Sequence, residues 1–242
     1  MARFTRHELK EDKFAQAAKD TVSWATDHEK SLLTSFAIVL VIVGLAAGGW
    51  FYYQDREAKA SFALGEAMRT YNAPIVADPT SLPPDMQMKT FPTAKERAVA
   101  ARGQFQEVAQ KYRWSGSANI AGYFAGLTAM DAGDTAGAES ALKQVAGARN
   151  QELASLAKFA LASLYRSANR PKDAIQLYKE LIERPTSAVP KSMAQLELAA
   201  TYAPQQPLEA KRIYEQIQKD DPKGPAATIA GQRLADLAKG QP

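Results

Sequence analysis

The sequence predicts an all-α protein, in which an N-terminal transmembrane helix is followed by an α-solenoid of packed helix hairpins. The first observation behind this prediction is an uncharged run of 24 residues, Ser31 to Gln54, bounded by Lys30 and Asp55. The second is a helical pattern that recurs at intervals of 36 residues in the second half of the chain. Sustained alternation of apolar and polar residues, the pattern of a half-buried strand, is missing from the sequence.

Residues 1–30 are predicted to form a cytoplasmic tail that is partly helical. Thr5 and Glu8 have the spacing of a capping box, and a weak apolar stripe continues to about residue 26. Such a helix either contacts the inner leaflet or a cytoplasmic partner, or is simply solvated.

The uncharged run, residues 31–54, is long enough to be a transmembrane helix. A helix rises about 1.5 Å per residue, so about 20 residues span the roughly 30 Å hydrocarbon core of a bilayer. A secretory signal has a shorter apolar core of about 7–15 residues close to the N-terminus, whereas this run follows 30 residues rich in charge. A buried core helix of this length without a polar face is the weaker alternative.

Two features inside the run fit a membrane span. The aromatic side chains at its end are suited to the headgroup region and are predicted as interface aromatics: Trp50, Phe51, Tyr52 and Tyr53. Gly44 and Gly48 are four residues apart, a spacing that permits close contact with another membrane helix, although glycines that face lipid are also common in such spans.

The distribution of basic residues predicts the orientation of the span. Six Lys or Arg residues precede it, and only Arg56, Lys59 and Arg69 lie in the equivalent stretch that follows. Because segments richer in Lys and Arg stay on the cytoplasmic side, residues 1–30 are predicted to be cytoplasmic and residues 55–242 to be exported.

Composition excludes several classes of function. The net charge of +4 has no contribution from the tail, where six basic and six acidic residues cancel, and it is too thinly spread for nucleic-acid binding. The chain has no Cys, and its only histidines, His7 and His28, lie in the tail. The exported part therefore has no thiol or imidazole for catalysis or zinc binding. We expect no enzyme, no catalytic or metal site, no cofactor and no small-molecule substrate.

Two segments connect the span to the second half of the chain. Residues 55–71 have apolar residues at helical spacing and are predicted to form a stalk helix that continues the span. Residues 72–93 contain five of the 13 prolines and are predicted to be a Pro-rich linker, because proline lacks the backbone donor that a helix needs.

From Ala94 onward the chain is rich in alanine, and one octamer pattern recurs. The segments AESALKQV, AIQLYKEL and AKRIYEQI begin at Ala138, Ala174 and Ala210, which are 36 residues apart, and a partial copy, ARGQFQEV, begins at Ala101. Each has a small residue first and apolar residues four and seven positions later, so all three lie on one helix face. A second predicted helix precedes each full copy and has a small residue at an equivalent place: Gly126, Ala162 and Ala199.

Three carboxylates, Asp131, Asp134 and Glu139, lie close together in the first full copy. They flank the turn between the two predicted helices of that copy. Carboxylates are favoured at helix N-termini, so we expect capping there and not catalysis.

Helix, turn and helix at this interval, with small residues at fixed places, resemble the tetratricopeptide repeat (TPR) over residues 94–240. The resemblance implies a TPR-like helical repeat domain, a stack of hairpins with a concave groove for protein partners. It also implies that the first helix of each hairpin lines this partner groove with large apolar side chains: Ile120, Tyr123, Leu127, Met130, Leu156, Phe159, Met193 and Leu196. Either a partner occupies the groove, or the chain fills it with its own residues 55–71 or 72–93.

A short cytoplasmic tail, one span and a small exported TPR-like domain together resemble the ancillary SecYEG translocon subunit family of bacterial inner membranes. The resemblance implies a single-pass inner-membrane protein with a periplasmic domain. Such a protein acts beside the Sec translocon with a periplasmic chaperone and helps to hand over newly exported proteins. An accessory structural subunit of another bacterial membrane complex, such as a respiratory, photosynthetic or envelope-assembly machine, is the alternative.

Overall fold

The computed structural model describes residues 29–77 and 89–240, together with Gln16, Lys19 and Trp24. In the two long ranges the chain forms nine helices, and the prediction of an all-α protein is confirmed. Most of the predicted tail helix and the middle of the predicted linker lie outside the described residues. The helices are α1 (Glu29–Tyr71), α2 (Ala94–Lys111), α3 (Gly116–Asp131), α4 (Thr135–Ala146), α5 (Gln151–Ser167), α6 (Pro171–Glu183), α7 (Lys191–Tyr202), α8 (Pro207–Asp220) and α9 (Pro225–Ala238).

The chain divides into two compact units, Met1–Asp55 and Arg56–Pro242, and α1 contributes residues to both. An 18-residue window of α1 between Leu33 and Tyr71 has a mean hydropathy of 2.1, and none of its residues is buried. By length and composition this helix can cross a membrane. Signal sequences near an N-terminus share these two properties, so they do not by themselves decide between an anchor and a signal.

The second unit begins with a hairpin formed by the C-terminal part of α1 and by α2. Ala67, Ala101 and Phe105 are fully buried in one apolar cluster of this hairpin. Tyr71 packs edge-on against Phe105 and against Phe124 of α3, with ring centroids 6.2 and 5.7 Å apart. Phe105 in turn stacks on Phe124 at 5.4 Å. The three helices α1, α2 and α3 therefore share one core.

The two ends of the Pro-rich segment are tied together beside this hairpin. The Val76 N–H donates to the Phe91 carbonyl at 2.8 Å, and the Phe91 N–H donates to the Pro74 carbonyl at 3.1 Å. The Lys89 ammonium donates to the Thr70 hydroxyl at 3.1 Å. The described ends of the segment thus close a loop that joins α1 to α2.

Three further hairpins, α3–α4, α5–α6 and α7–α8, repeat one packing scheme, and α9 packs against α8 at the end. The small residue that begins each recurring octamer is fully buried: Ala101, Ala138, Ala174 and Ala210. The apolar residues four and seven positions later are buried as well, since they lie on the same helix face. The 36-residue interval in the sequence is therefore a structural repeat.

Two hairpin turns use the left-handed backbone region at equivalent positions. Gly133 has φ 81° and Asn169 has φ 58°, and the two residues are 36 apart in sequence. Glycine adopts this region without steric cost, and asparagine tolerates it better than most other residues. These turns let α4 and α6 fold back along α3 and α5.

Contacts between helices that are not consecutive show how the hairpins stack. Each second helix packs against the first helix of the next hairpin, and α3 also touches α5, as α7 touches α9. Within residues 94–240 no two second helices of neighbouring hairpins pack as closely. The TPR resemblance assigns the groove to the side of the stack on which α3 meets α5 and α7 meets α9.

A close contact between the two helices of one hairpin predicts a large response to one added methyl group. Gly126 of α3 lies so near Leu142 of α4 that a Cβ at this position would be 2.6 Å from the Leu142 Cγ atom. We expect Gly126→Ala to lower the free energy of unfolding by about 1–3 kcal/mol, because the contact becomes overpacked. Urea unfolding of the full chain in detergent micelles, followed by circular dichroism, measures this change.

Gly103 of α2 is the matched control for this substitution. It also lies inside a helix, but nothing is within 4 Å of a Cβ built there. Gly103→Ala should raise stability by about 0.5–1 kcal/mol, because alanine is the better helix former. Equal effects at the two glycines would contradict the close packing of α3 on α4.

Candidate partner-binding groove

All eight side chains predicted to line a partner groove lie on first helices of hairpins. Four come from α3, two from α5 and two from α7, in the order Ile120, Tyr123, Leu127 and Met130, then Leu156 and Phe159, then Met193 and Leu196. Within each helix they are three or four residues apart, so they lie along one side of that helix.

These side chains differ in how far they are open to solvent. Ile120 is 39% exposed and Met193 is 42% exposed. The other six are half-buried and pack against the apolar cores of the hairpins. Phe159, for example, lies edge-on to Tyr178 of α6, with ring centroids 5.7 Å apart. Ile120 and Met193 are therefore the accessible side chains of the predicted groove, and the half-buried ones also support the fold.

The chain's own residues 56–71 lie at one end of the predicted groove. They pack against α2 and α3, where Tyr71 joins the rings of Phe105 and Phe124. Burial, together with the neighbouring Tyr71, raises the pKa of Tyr123 above its usual value. Leu156, Phe159 and Leu196 pack against other apolar clusters, to which the described residues of α1 do not contribute.

Sequence reasoning missed the role of Glu57, which joins the first two hairpins. Its carboxylate accepts hydrogen bonds from the Gly116 N–H at 2.8 Å, the Ser117 N–H at 3.1 Å and the Ser117 hydroxyl at 2.6 Å. Burial opposes the negative charge, but these hydrogen bonds outweigh it and hold the pKa of Glu57 below its usual value. Glu57 thereby anchors α1 to the beginning of α3.

An equivalent carboxylate, that of Glu152, joins the third hairpin to the fourth. It accepts a hydrogen bond from the Ala188 N–H at 2.7 Å and a longer one from the Ser187 N–H at 3.4 Å. The hydrogen bond from Ala188 is the main reason that the pKa of Glu152 lies below its usual value. Both carboxylates therefore hold the backbone near the start of the next first helix.

The positions of the two glutamates show that the C-terminal part of α1 is the first helix of a hairpin. Glu57 precedes Ala67 by ten residues, and Glu152 precedes Ala162 by ten residues. Both alanines are fully buried. This signal is present in the sequence, but the insertion of residues 72–93 between the two helices of the first hairpin hides the repeat interval.

A polar cluster around Glu139 joins α4 to α5 and to the turn before α6. The Glu139 carboxylate forms ion pairs with Lys143 at 2.7 Å and with Arg170 at 2.9 Å. It also accepts a hydrogen bond from the Tyr165 hydroxyl at 2.9 Å. The bond from Lys143 is the largest influence that holds the pKa of Glu139 below its usual value. The Arg170 guanidinium lies 4.1 Å from the centroid of the Tyr165 ring. These contacts make the cluster a joint between hairpins.

Asp134, another carboxylate near this turn, has structural partners too. Asp134 accepts a hydrogen bond from the Gly137 N–H at 2.9 Å and pairs with Arg102 at 2.6 Å. It is the N-cap of α4, so the capping role expected for it is confirmed. In the described ranges, no group of three or more His, Cys, Asp or Glu side chains is placed to hold a metal ion.

The predicted membrane features lie on the open surface of α1. Its four consecutive aromatic residues, Trp50 to Tyr53, are between 45% and 73% exposed. A Cβ built at Gly44 or Gly48 meets nothing within 4 Å. The roles assigned to these residues, at the membrane interface and in contact with another helix, stay predictions.

The fold and the packing define a class: a TPR-like helical repeat protein with a long apolar helix near its N-terminus. The family described as "Tetratricopeptide repeat-like domain" matches residues 23–184, well over half of the chain, and the chain belongs to this family. No curated protein sequence matches the chain significantly.

One solved structure supports the same fold. It contains the nearly identical TPR-like repeats of a candidate kinesin light chain from Podosopora anserina and superposes with a TM-score of 0.50. The match is 20% identical and covers 60% of this chain and 80% of that chain. At this identity the likeness concerns the fold alone.

The hydroxyls of two buried tyrosines predict different responses to their removal. The Tyr178 hydroxyl is buried without a hydrogen-bond partner among the described residues, and burial raises its pKa well above the usual range. We expect Tyr178→Phe to leave stability unchanged or to raise it, because it removes an unpaired buried group. Tyr165→Phe should lower stability by about 1–2 kcal/mol, because it removes the hydrogen bond to Glu139. Thermal unfolding of both variants beside the parent chain measures the difference, and an equal loss in both would contradict it.

Proposed function

We propose that the chain is a non-catalytic, membrane-anchored adaptor whose exported TPR-like domain binds protein partners. The observation that carries this proposal is a single helix of 43 residues, which contains the uncharged run and ends inside the first repeat hairpin. Stacked helical repeats present extended surfaces to other chains. A span that is joined to such repeats holds a binding surface at a membrane.

Three features favour an anchor over a removable signal sequence. The uncharged run is longer than the apolar core of a signal, which has about 7–15 residues. Amphipathic rings stand at the end of the run, where the headgroup region would begin. The helix also continues without a break to Tyr71, which packs in the core of the first hairpin.

In the proposed layout the chain crosses a bacterial inner membrane once. Residues 1–30 are the cytoplasmic tail, residues 31–54 are the span, and residues 55–242 are periplasmic. The excess of Lys and Arg before the span supports this orientation. Because residues 56–71 supply the first helix of the first hairpin, the binding domain of this layout begins directly after the span.

Within this class we place the chain as an ancillary subunit of the Sec translocon, which helps to hand exported proteins to a periplasmic chaperone. The support is architectural, since a short tail, one span and a small exported repeat domain are the layout of that subunit family. An accessory structural subunit of another membrane complex would share this layout, so identification of the partner separates the two.

The topology predicts how two cysteine variants are labelled. Because the chain has no Cys, one introduced thiol reports one site. Ser140 of α4 is exposed, so Ser140→Cys should react with a membrane-impermeant maleimide in intact spheroplasts. Thr5→Cys should react only after lysis. The reverse pattern would overturn the orientation, and release of the chain from membranes by alkaline carbonate would overturn the anchor.

The two exposed groove side chains give a direct test of partner binding. The double change Ile120→Ala and Met193→Ala should release the partner with little change in melting temperature, because neither side chain is buried in a core. A central apolar anchor often contributes about 2 kcal/mol to binding. Affinity purification of the detergent-extracted chain, with mass spectrometry of translocon subunits and chaperones, measures retention.

Leu208→Ala is the matched control, since Leu208 is 77% exposed on a second helix, α8. The control should retain the partner. Phe159→Ala should instead lower the melting temperature, because Phe159 packs on Tyr178. If another membrane complex co-purifies and is lost in the double variant, the chain is an accessory subunit of that complex and not of the translocon. If the double variant keeps its partner, binding occurs elsewhere on the domain.

A further inference from the structure

Trp114 is 86% exposed, which makes it the most exposed large apolar side chain in the described part of the chain. It lies in the short turn between α2 and α3, next to Arg113, which is also exposed. A tryptophan ring offers a large apolar surface with one polar atom, a combination that is enriched at interfaces. The turn between α2 and α3 is therefore a candidate contact surface.

Hydrogen bonds hold the turn that carries Trp114. The Ser115 N–H donates to the Tyr112 carbonyl at 2.8 Å, and the Ser115 side chain caps α3. The Arg56 guanidinium donates to the Lys111 carbonyl at 2.8 Å. The ring of Trp114 is thus presented to solvent by an ordered turn.

The turn is also tied to Glu57, which lies three residues after the end of the uncharged run. Glu57 accepts hydrogen bonds from Gly116 and Ser117, the two residues that follow the turn. Glu57 is only four residues after Tyr53, the last of the predicted interface aromatics. A fully extended chain spans at most about 3.6 Å per residue, so about 14 Å is the greatest possible separation of these two residues.

We propose that residues 111–114 form a lipid-contacting turn, in which the Trp114 ring lies at headgroup depth and Arg113 faces the phosphates of an anionic bilayer surface. The inference rests on the proposed membrane anchoring of residues 31–54. If Tyr53 is at headgroup depth, the short connection through Glu57 keeps the turn within reach of the same surface. Tryptophan favours that depth, and basic side chains are attracted to anionic lipid, so chain length and chemistry both select lipid as the occupant.

This contact gives the periplasmic domain a second attachment to the membrane. With the turn between α2 and α3 also on the surface, α3 begins at the membrane, and the predicted groove residues of α3 are held at a defined height. The turn therefore orients the binding surface.

Depth-dependent quenching tests the contact on the full chain. The chain has three tryptophans, so two single-tryptophan proteins are made: Trp24→Phe with Trp50→Phe leaves Trp114, and Trp24→Phe with Trp114→Phe leaves Trp50. Each is reconstituted into vesicles of phosphatidylcholine and phosphatidylglycerol that carry phospholipids brominated near the headgroup. We expect both to lose emission relative to unbrominated vesicles, with Trp114 emitting at a shorter wavelength than in the lipid-free unfolded chain.

A chain with all three tryptophans replaced by Phe and with Leu208→Trp is the matched control, since position 208 is also exposed on the repeat domain. Its emission should not be quenched. If Trp50 is quenched and Trp114 is not, the anchor stands and the lipid contact is overturned, which leaves Trp114 as a site for a protein. If Trp50 itself is not quenched, the proposed anchor fails and the contact fails with it.

The variant Arg113→Glu tests the contribution of the Arg113 charge separately from that of the Trp114 ring. In vesicles that contain phosphatidylglycerol, this change should reduce the quenching of Trp114 and leave that of Trp50 unchanged. In vesicles of phosphatidylcholine alone, it should have a smaller effect, because the attraction between Arg113 and anionic lipid is missing. An equal effect in both vesicle types would overturn the role assigned to Arg113.

Discussion

The packing of the repeat unit depends on close approach of the two helices in each hairpin. At the contact between α3 and α4, a single methyl group on Gly126 would come within 2.6 Å of Leu142. The second helix of every hairpin likewise buries an alanine completely, followed by a large apolar residue four positions later. Because each copy has a small residue and a large apolar residue at these places, the hairpins stack with similar geometry.

Polar joints then orient one hairpin against the next. The first N–H groups of a helix have no partner inside the helix, and a carboxylate from the preceding hairpin can bind them. Glu57 does so at the beginning of α3, and Glu152 binds the backbone just before α7. The Glu139 cluster and the Arg166–Glu197 ion pair, at 3.0 Å, connect hairpins in the same way. Apolar contacts set the spacing of the stack, and these polar contacts select its register.

The same arrangement bears on how such a protein would hold a partner at a membrane. The joint at Glu57 brings residues 56–71 into the first hairpin, so the repeat unit includes the C-terminal part of α1. On the inner side, most of the large apolar side chains also support the cores, and Ile120 and Met193 stand out as the open ones.

The sequence by itself determined the helical class, the apolar helix long enough to cross a membrane, and the repeat interval. Each follows from local pattern, because hydropathy, helical spacing and the recurrence of Ala138, Ala174 and Ala210 need no knowledge of distant contacts. Only the tertiary structure decided which helix completes the first hairpin. Residues 56–71 pack against α2 across an insertion of 22 residues. Because of this insertion, the first hairpin does not follow the repeat interval of the other hairpins. The structure also decided which predicted groove residues are open, since the burial of Phe159 depends on Tyr178, a neighbour that periodicity does not name.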